Sequence, residues 1–226
     1  MDALLVYIAA DRRLVLWRAA PLPDRDRGTV LFADISGFTA LTETLARTLG
    51  PRRGAEEVTR QLNEVYEELT ATVERYGGSI VSFSGDGIIC WFPGDDGAAP
   101  SARSAALRAL TCALHMQSGM RRFATLTLAG GEQVRLAMKV AITSGPVRRF
   151  LVGDPEVQLF DVLAGATLDR LGAIEGLATR GEVWVDQATA DLLPDAAVEW
   201  RDLPGWGRAA LVRGLEEEAP PAPWRA

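Results

Sequence analysis

The run VLFADISGFTAL (residues 30–41) sets one carboxylate, Asp34, at the tip of an apolar stretch and just ahead of a glycine-containing turn that reads as a helix start. A carboxylate at the end of a buried strand is costly without a partner. A second, Asp86, stands between Gly85 and Gly87 in the turn joining two short β-rich runs, SIVSF (79–83) and GIICWF (87–92). If that hairpin lies beside the first strand, the two carboxylates come together. They then repel unless one stays protonated or a cation sits between them. One histidine, His115, and two cysteines, Cys90 and Cys112, leave no His-rich or thiolate metal site. An oxygen-only ligand set suits Mg²⁺ or Mn²⁺ better than zinc. Ser36, Gly37, Phe38 and Thr39 place backbone N–H groups at a helix start beside that metal, a seat for phosphate oxygens. Two carboxylates, a metal and a phosphate seat suggest phosphoryl-group chemistry. Taken singly, each aspartate has an ordinary structural reading, an N-cap for Asp34 and a turn residue for Asp86. The pair carries the functional reading.

The elements that must position these groups follow from periodicity. TVLFAD (29–34) reads as a buried strand, followed by a helix to Gly50 and Pro51 and a second helix over 54–78. In that helix Val58, Leu62, Val65, Leu69 and Val73 recur at three- and four-residue steps, so one stripe faces a core. The 79–92 hairpin comes next, then a helical region over about 98–123 that holds His115 as a surface or satisfied core imidazole. Three strand candidates follow, beginning at Val134, Pro146 and Glu156, then a helix over about 165–177, a strand at Gly181 and a short helix. This order predicts an α+β fold, one mixed sheet with helices mostly on one face.

The chain has 226 residues, enough for one substantial domain. Its net charge of −6 argues against a non-specific nucleic-acid partner, which needs a basic face. Before charge interrupts, the N-terminal apolar run holds only eight residues (3–10), too few to span a bilayer. With no basic leader and no cleavage site it reads as an amphipathic helix, and the protein as cytoplasmic, without membrane insertion. Cys90 and Cys112 read as buried small hydrophobes in a reducing compartment. The expected division is an N-terminal helix and connector over 1–27, a domain over 28–213, and an acidic, Pro-rich linker or tail over 214–226.

FADISGFTALTE (32–43) together with GGSIVSFSGDGIICWF (77–92) resembles the two metal-aspartate motifs of class III nucleotidyl cyclases. The likeness is nearest to the bicarbonate-responsive soluble adenylyl cyclase branch and its bacterial relatives, and extends over about residues 28–190. It implies a ferredoxin-like βααββαβ core with a mainly antiparallel sheet, a dimer with active sites at its interface, and conversion of ATP to cyclic AMP and pyrophosphate. GTP is the less expected substrate. By position, Asp34 and Asp86 match the metal-binding aspartates for two Mg²⁺ or Mn²⁺ ions, and Ile35 matches the residue lending a backbone carbonyl. Gly37, Phe38 and Thr39 match the phosphate loop, and Lys139 falls where soluble cyclases place a lysine near phosphates.

Three positions depart from the family. Ser82 stands where a lysine or glutamate selects the purine. Asp169 and Ala173 stand where an asparagine and an arginine stabilise the transition state; a one-residue slip would offer Arg170 only by moving the rest out of register. The resemblance therefore implies division of labour: this domain brings metals and phosphate loop, and a second cyclase-like domain, in tandem or as a dimer partner, brings the rest. On that reading the tail starts a linker and the chain is a fragment of a longer protein. The alternative is a degenerate homology domain with a regulatory, dimerisation or nucleotide-binding role.

Overall fold

Alternation along β1 (Arg25–Ser36) decides where each side chain of the first motif points. Leu31, Ala33 and Ile35 enter the core on one face of the sheet, and Val30 and Phe32 pack on the other. Asp34 shares the second face, as the two-residue period of a strand requires. The computed structural model describes residues 9–18, 24–94, 102–128, 131–154 and 157–224.

β1 is hydrogen-bonded on both sides. It runs antiparallel to β3 (Gly87–Pro93), from Gly28 opposite Pro93 to Asp34 opposite Gly87. It also runs antiparallel to β6 (Ala137–Asp154), from Arg25 opposite Arg148 to Ser36 opposite Ala137. With β2 (Ser79–Ser84), β8 (Val183–Asp186), β9 (Ala196–Leu203) and β10 (Gly207–Leu215), the order is β2-β3-β1-β6-β8-β10-β9; β7 (Gln158–Ala164) pairs with β6. The β6–β8 pair alone is parallel within this sheet. A separate two-stranded ribbon joins β4 (Leu126–Thr127) to β5 (Gln133–Val134).

Helices α2 (Phe38–Leu49), α3 (Pro51–Arg75), α4 (Ala102–Met120) and α6 (Gln187–Leu192) cover the Leu31 face. In α3 the stripe Val65, Leu69, Val73 is fully buried there, each side chain contributing roughly 1.5–3 kcal/mol. Helix α5 (Ala166–Glu175) lies on the opposite face, anchored by Leu171 and Ile174. This is the expected α+β architecture: a mixed, mainly antiparallel sheet with helices largely on one side.

Several details differ from the reading of the sequence. The strands expected at 134–143 and 146–152 merge in β6, which starts at Ala137 and has Pro146 inside it, while Val134 falls in β5. Val140 donates its N–H away from β1 and Arg149 donates toward it, so by alternation the nitrogen of Pro146 points away from β1. There it meets the gap between Ile142, the last residue paired with β8, and Arg148, the first paired with β7, so the missing N–H costs no ladder bond. β1 starts at Arg25, ahead of the boundary at 28, because Arg25–Arg27 pair with β6. The β9–β10 hairpin, turning at 204–206, lies past the last element that the sequence pattern marks.

Helix α1 (Ala10–Trp17) covers part of the expected N-terminal helix; residues 1–8 lie outside the described ones. Its Asp11 N–H donates to Ser79 Oγ at 2.9 Å. The acidic, Pro-rich tail runs back over the domain. Ala219 N–H donates to Thr111 Oγ1 (2.9 Å), Ala222 N–H to the Arg75 carbonyl (2.8 Å), and the Trp224 indole N–H to the Gly78 carbonyl (2.8 Å). α1 and the tail therefore grip adjacent residues at the start of β2.

Candidate active site

The β1–β3 ladder ends where Asp34 faces Gly87, and one step further Ile35 N–H donates to the Asp86 carbonyl at 3.3 Å. Asp34 and Asp86 are thus neighbours across two strands, at the mouth of the β2–β3 hairpin. In a strand the N–H and C=O of one residue leave on the same side, so the Ile35 carbonyl also faces the hairpin. The Ile35 side chain is packed in the core and fixes the backbone at this position. Asp34 is half-buried and Asp86 exposed, which leaves both carboxylates within reach of a ligand.

Tyr66 of α3 joins this corner, a residue that sequence periodicity shows only as part of a helix. Its phenol has a raised pKa, first through burial and then through the negative charges of Asp86 and Asp34. Its ring meets Phe83 edge-on at 5.6 Å.

The helix start is built around Gly37, whose φ of 110° lies in the left-handed region. A Cβ there would fall 2.3 Å from the Arg135 carbonyl oxygen. Helix α2 has no side-chain cap, and its first internal bond is Leu41 N–H to the Gly37 carbonyl. The amides of Phe38, Thr39 and Ala40 precede that bond and have no partner inside the helix. The Phe38 side chain is buried in the core while Thr39 is exposed, so Phe38 anchors the turn. The Ser36 hydroxyl donates to the Ala137 carbonyl at 3.3 Å.

Lys139 faces Asp34 directly across β1 and β6. Its Nζ lies 3.4 Å from Asp34 Oδ2 and makes a closer hydrogen bond to Glu175 Oε1 at the end of α5. The Glu175 hydrogen bond, against the effect of burial and with help from Asp34, raises the pKa of this ammonium. Glu175 was not legible as a site residue: no local pattern marks the last residue of a helix as the partner of a lysine on another element.

At the departing positions, Ser82 sits in β2 beside a register shift, opposite Ile89. Asp169 is exposed on α5, and Ala173 packs against the apolar cluster beneath that helix. Arg170 is committed elsewhere, donating through Nε to Asp186 Oδ2 (2.8 Å) and through Nη2 to the Ser144 carbonyl (2.9 Å).

The donor set can be tested against a divalent ion. Among the described residues no group of three or more His, Cys, Asp or Glu side chains forms a metal cage. Two carboxylates and one carbonyl are hard oxygen donors that leave much of an octahedral Mg²⁺ shell open. Phosphate oxygens and water complete such a shell, and the α2 amides stand beside it, so the residues fit the group.

A mixed sheet carrying two acidic residues beside an uncapped helix start defines a class of domain, and comparison with known proteins gives it a family. Residues 22–204 match the adenylate and guanylate cyclase catalytic domain, and the chain belongs to that family. Adenylate cyclase type 10 of Oryctolagus cuniculus is 25% identical over 196 residues, covering 87% of this chain. The chain spans only 12% of that relative's length. The adenylyl cyclase CyaB from P. aeruginosa matches with a TM-score of 0.71 at 23% identity, over 86% of this chain and 97% of that one. The guanylyl cyclase Cya2 matches with a TM-score of 0.68 at 28% identity, over 86% and 95%. Among the described residues no helix is long and apolar enough to cross a membrane.

Proposed function

We propose that this domain is the metal- and phosphate-binding half of an adenylyl cyclase that converts ATP to cyclic AMP and pyrophosphate in the cytoplasm. The observation that carries the reading is the side-by-side placement of Asp34 and Asp86 next to the free amides of α2. Asp34, Asp86 and the Ile35 carbonyl would hold two Mg²⁺ or Mn²⁺ ions. When bound, such ions acidify the ribose 3′-hydroxyl and neutralise charge on the phosphates. The chain's own groups do the positioning: the amides from Gly37 to Thr39 receive triphosphate oxygens, and Lys139 adds a positive charge close by. The 3′-oxygen attacks the α-phosphorus and pyrophosphate leaves.

Preference for ATP over GTP is supported by the similarity to adenylate cyclase type 10, since Ser82 offers no purine-reading charge. A second cyclase domain is supported by the β6–β7 hairpin, which leaves Phe150, Leu151, Val152, Val157, Phe160 and Val162 in water. A cluster of that size on a soluble domain marks an interaction surface. The partner would bring the asparagine and arginine that Asp169 and Ala173 replace.

The test is cyclic AMP production from ATP and Mn²⁺ by the purified chain, alone and mixed with a cyclase domain bearing those two residues. Loss of a transition-state donor costs about two to three orders of magnitude in rate. The chain alone should therefore make little product, and mixing should restore turnover that depends on Asp34. Robust turnover by the chain alone would refute the half-site. The exposed Asp169 and the committed Arg170 favour a second reading, a regulatory or nucleotide-binding homology domain. Mixtures that bind nucleotide but never turn over would favour it.

A further inference from the structure

Lys139 and Asp34 stand directly opposite each other on adjacent strands, with side chains on the same face of the sheet. Cross-strand partners are about 5 Å apart at Cβ, so a lysine so placed reaches its carboxylate with ease. An ammonium and a carboxylate free to pair settle at roughly 2.7–2.9 Å. Here the separation is 3.4 Å, and the short contact goes to Glu175 instead. Leu171 and Ile174 bury α5 on the sheet and so fix the end of the helix where Glu175 stands.

We infer that Glu175 is a positioning residue for the metal site: it draws the Lys139 ammonium off Asp34, so that a divalent cation can take that carboxylate. The inference rests on the reading of Asp34 as a metal ligand. Lys139 is the one ion-pair partner of Asp34 among the described residues. Without Glu175 the ammonium's nearest counter-charge is Asp34 itself, and lysine and metal compete for the same oxygens. With it, Asp34, Asp86 and Glu175 set three negative charges against one positive. The net negative charge left at the site favours divalent cations. An arriving metal repels the ammonium, and Glu175 keeps that ammonium paired while Asp34 changes partner.

The test is Mn²⁺ binding to the full chain in the presence of ATP, read from the electron paramagnetic resonance signal of free Mn²⁺. Wild type, Glu175→Gln, Lys139→Met and the double variant are compared, with Asp34→Ala as control. Glu175→Gln should weaken Mn²⁺ binding about fivefold, the scale of a partly exposed ion pair. In the Lys139→Met background the same change should have less than about a twofold effect, because the competitor is gone. An equal loss in both backgrounds would mean that Glu175 acts only through its own charge, and overturns the inference. So does no loss in either.

If wild type and Asp34→Ala bind Mn²⁺ alike, the metal reading itself fails. The placement of Lys139 is then judged from a metal-free crystal structure of Glu175→Gln. Nζ should move into direct hydrogen bonding with Asp34; a separation unchanged from 3.4 Å overturns the inference.

Discussion

Arg149 of β6 holds Asp161 of β7 with Nη2 2.5 Å from Oδ2, and the same guanidinium closes on Asp11 of α1. Arg12 completes the quartet, donating through Nε (3.0 Å) and Nη2 (2.9 Å) to Asp161. Burial opposes the charge on Asp161, yet hydrogen bonds from Arg12 and Arg149 outweigh it and hold its carboxyl below the usual range. The cluster fastens the base of the exposed hairpin to the N-terminal helix.

Asp161→Asn should cost about 3 kcal/mol near neutral pH, since two buried guanidinium groups lose their shared partner. The folded pKa of Asp161 lies below its unfolded value, so its stabilisation is present above the unfolded value and lost as pH falls through the folded one. Urea midpoints of wild type and variant should therefore converge as pH falls below the ordinary aspartate value of about 3.9 and through the lowered folded one. A gap that persists into acid would contradict the assignment.

Asp34→Ala and Asp86→Asn should each weaken ATP binding with Mn²⁺ by about a hundredfold in titration calorimetry, as loss of a direct metal ligand implies. Both carboxylates reach solvent, so melting temperatures should shift by no more than about 2 °C. Affinities equal to wild type in both variants would sink the site.

Gly37→Ala should destabilise the domain by about 2–3 kcal/mol, because the backbone is left-handed and the new Cβ meets the Arg135 carbonyl. Gly85→Ala is the control: φ is 64° but nothing lies within 4 Å, so only the backbone term of about 1 kcal/mol remains. Equal urea midpoints for the two variants would remove the steric argument.

The isolated chain should self-associate through the β6–β7 hairpin, and Phe160→Asp should weaken that association. Phe160 is 56% exposed, so the substitution should leave thermal stability within about 0.5 kcal/mol of wild type. Sedimentation velocity at rising concentration is the measurement; a strict monomer in the wild type would count against the partner surface.

Much of this was legible because the informative patterns are local. The apolar run 29–33 marked a buried strand with Asp34 at its tip, and the helical stripe through Val65, Leu69 and Val73 was visible at its own spacing. Gly85–Gly87 marked the turn that carries Asp86. What escaped depended on distant partners. Pro146 reads as a strand breaker unless the gap beside β6 is known. Tyr66 and Glu175 lie in helices and meet the aspartates and Lys139 only through the packing of those helices on the sheet. The tail has the composition of a linker, and its contacts with Thr111, Arg75, Gly78, Arg103 and His115 depend on partners far away in sequence.

The meeting of Asp11 with Ser79 and of Trp224 with Gly78 has a mechanical consequence. Tension applied between those two points closes through a single turn at the base of β2. A pull on α1 also loads β6 and β7, because Arg149 and Asp161 hold Asp11 and Arg12. To free α1, a pull must break the ion pairs to Arg149 and Asp161 as well as the bond to Ser79, so the hairpin and the turn share the load that would otherwise reach the strand carrying Asp34.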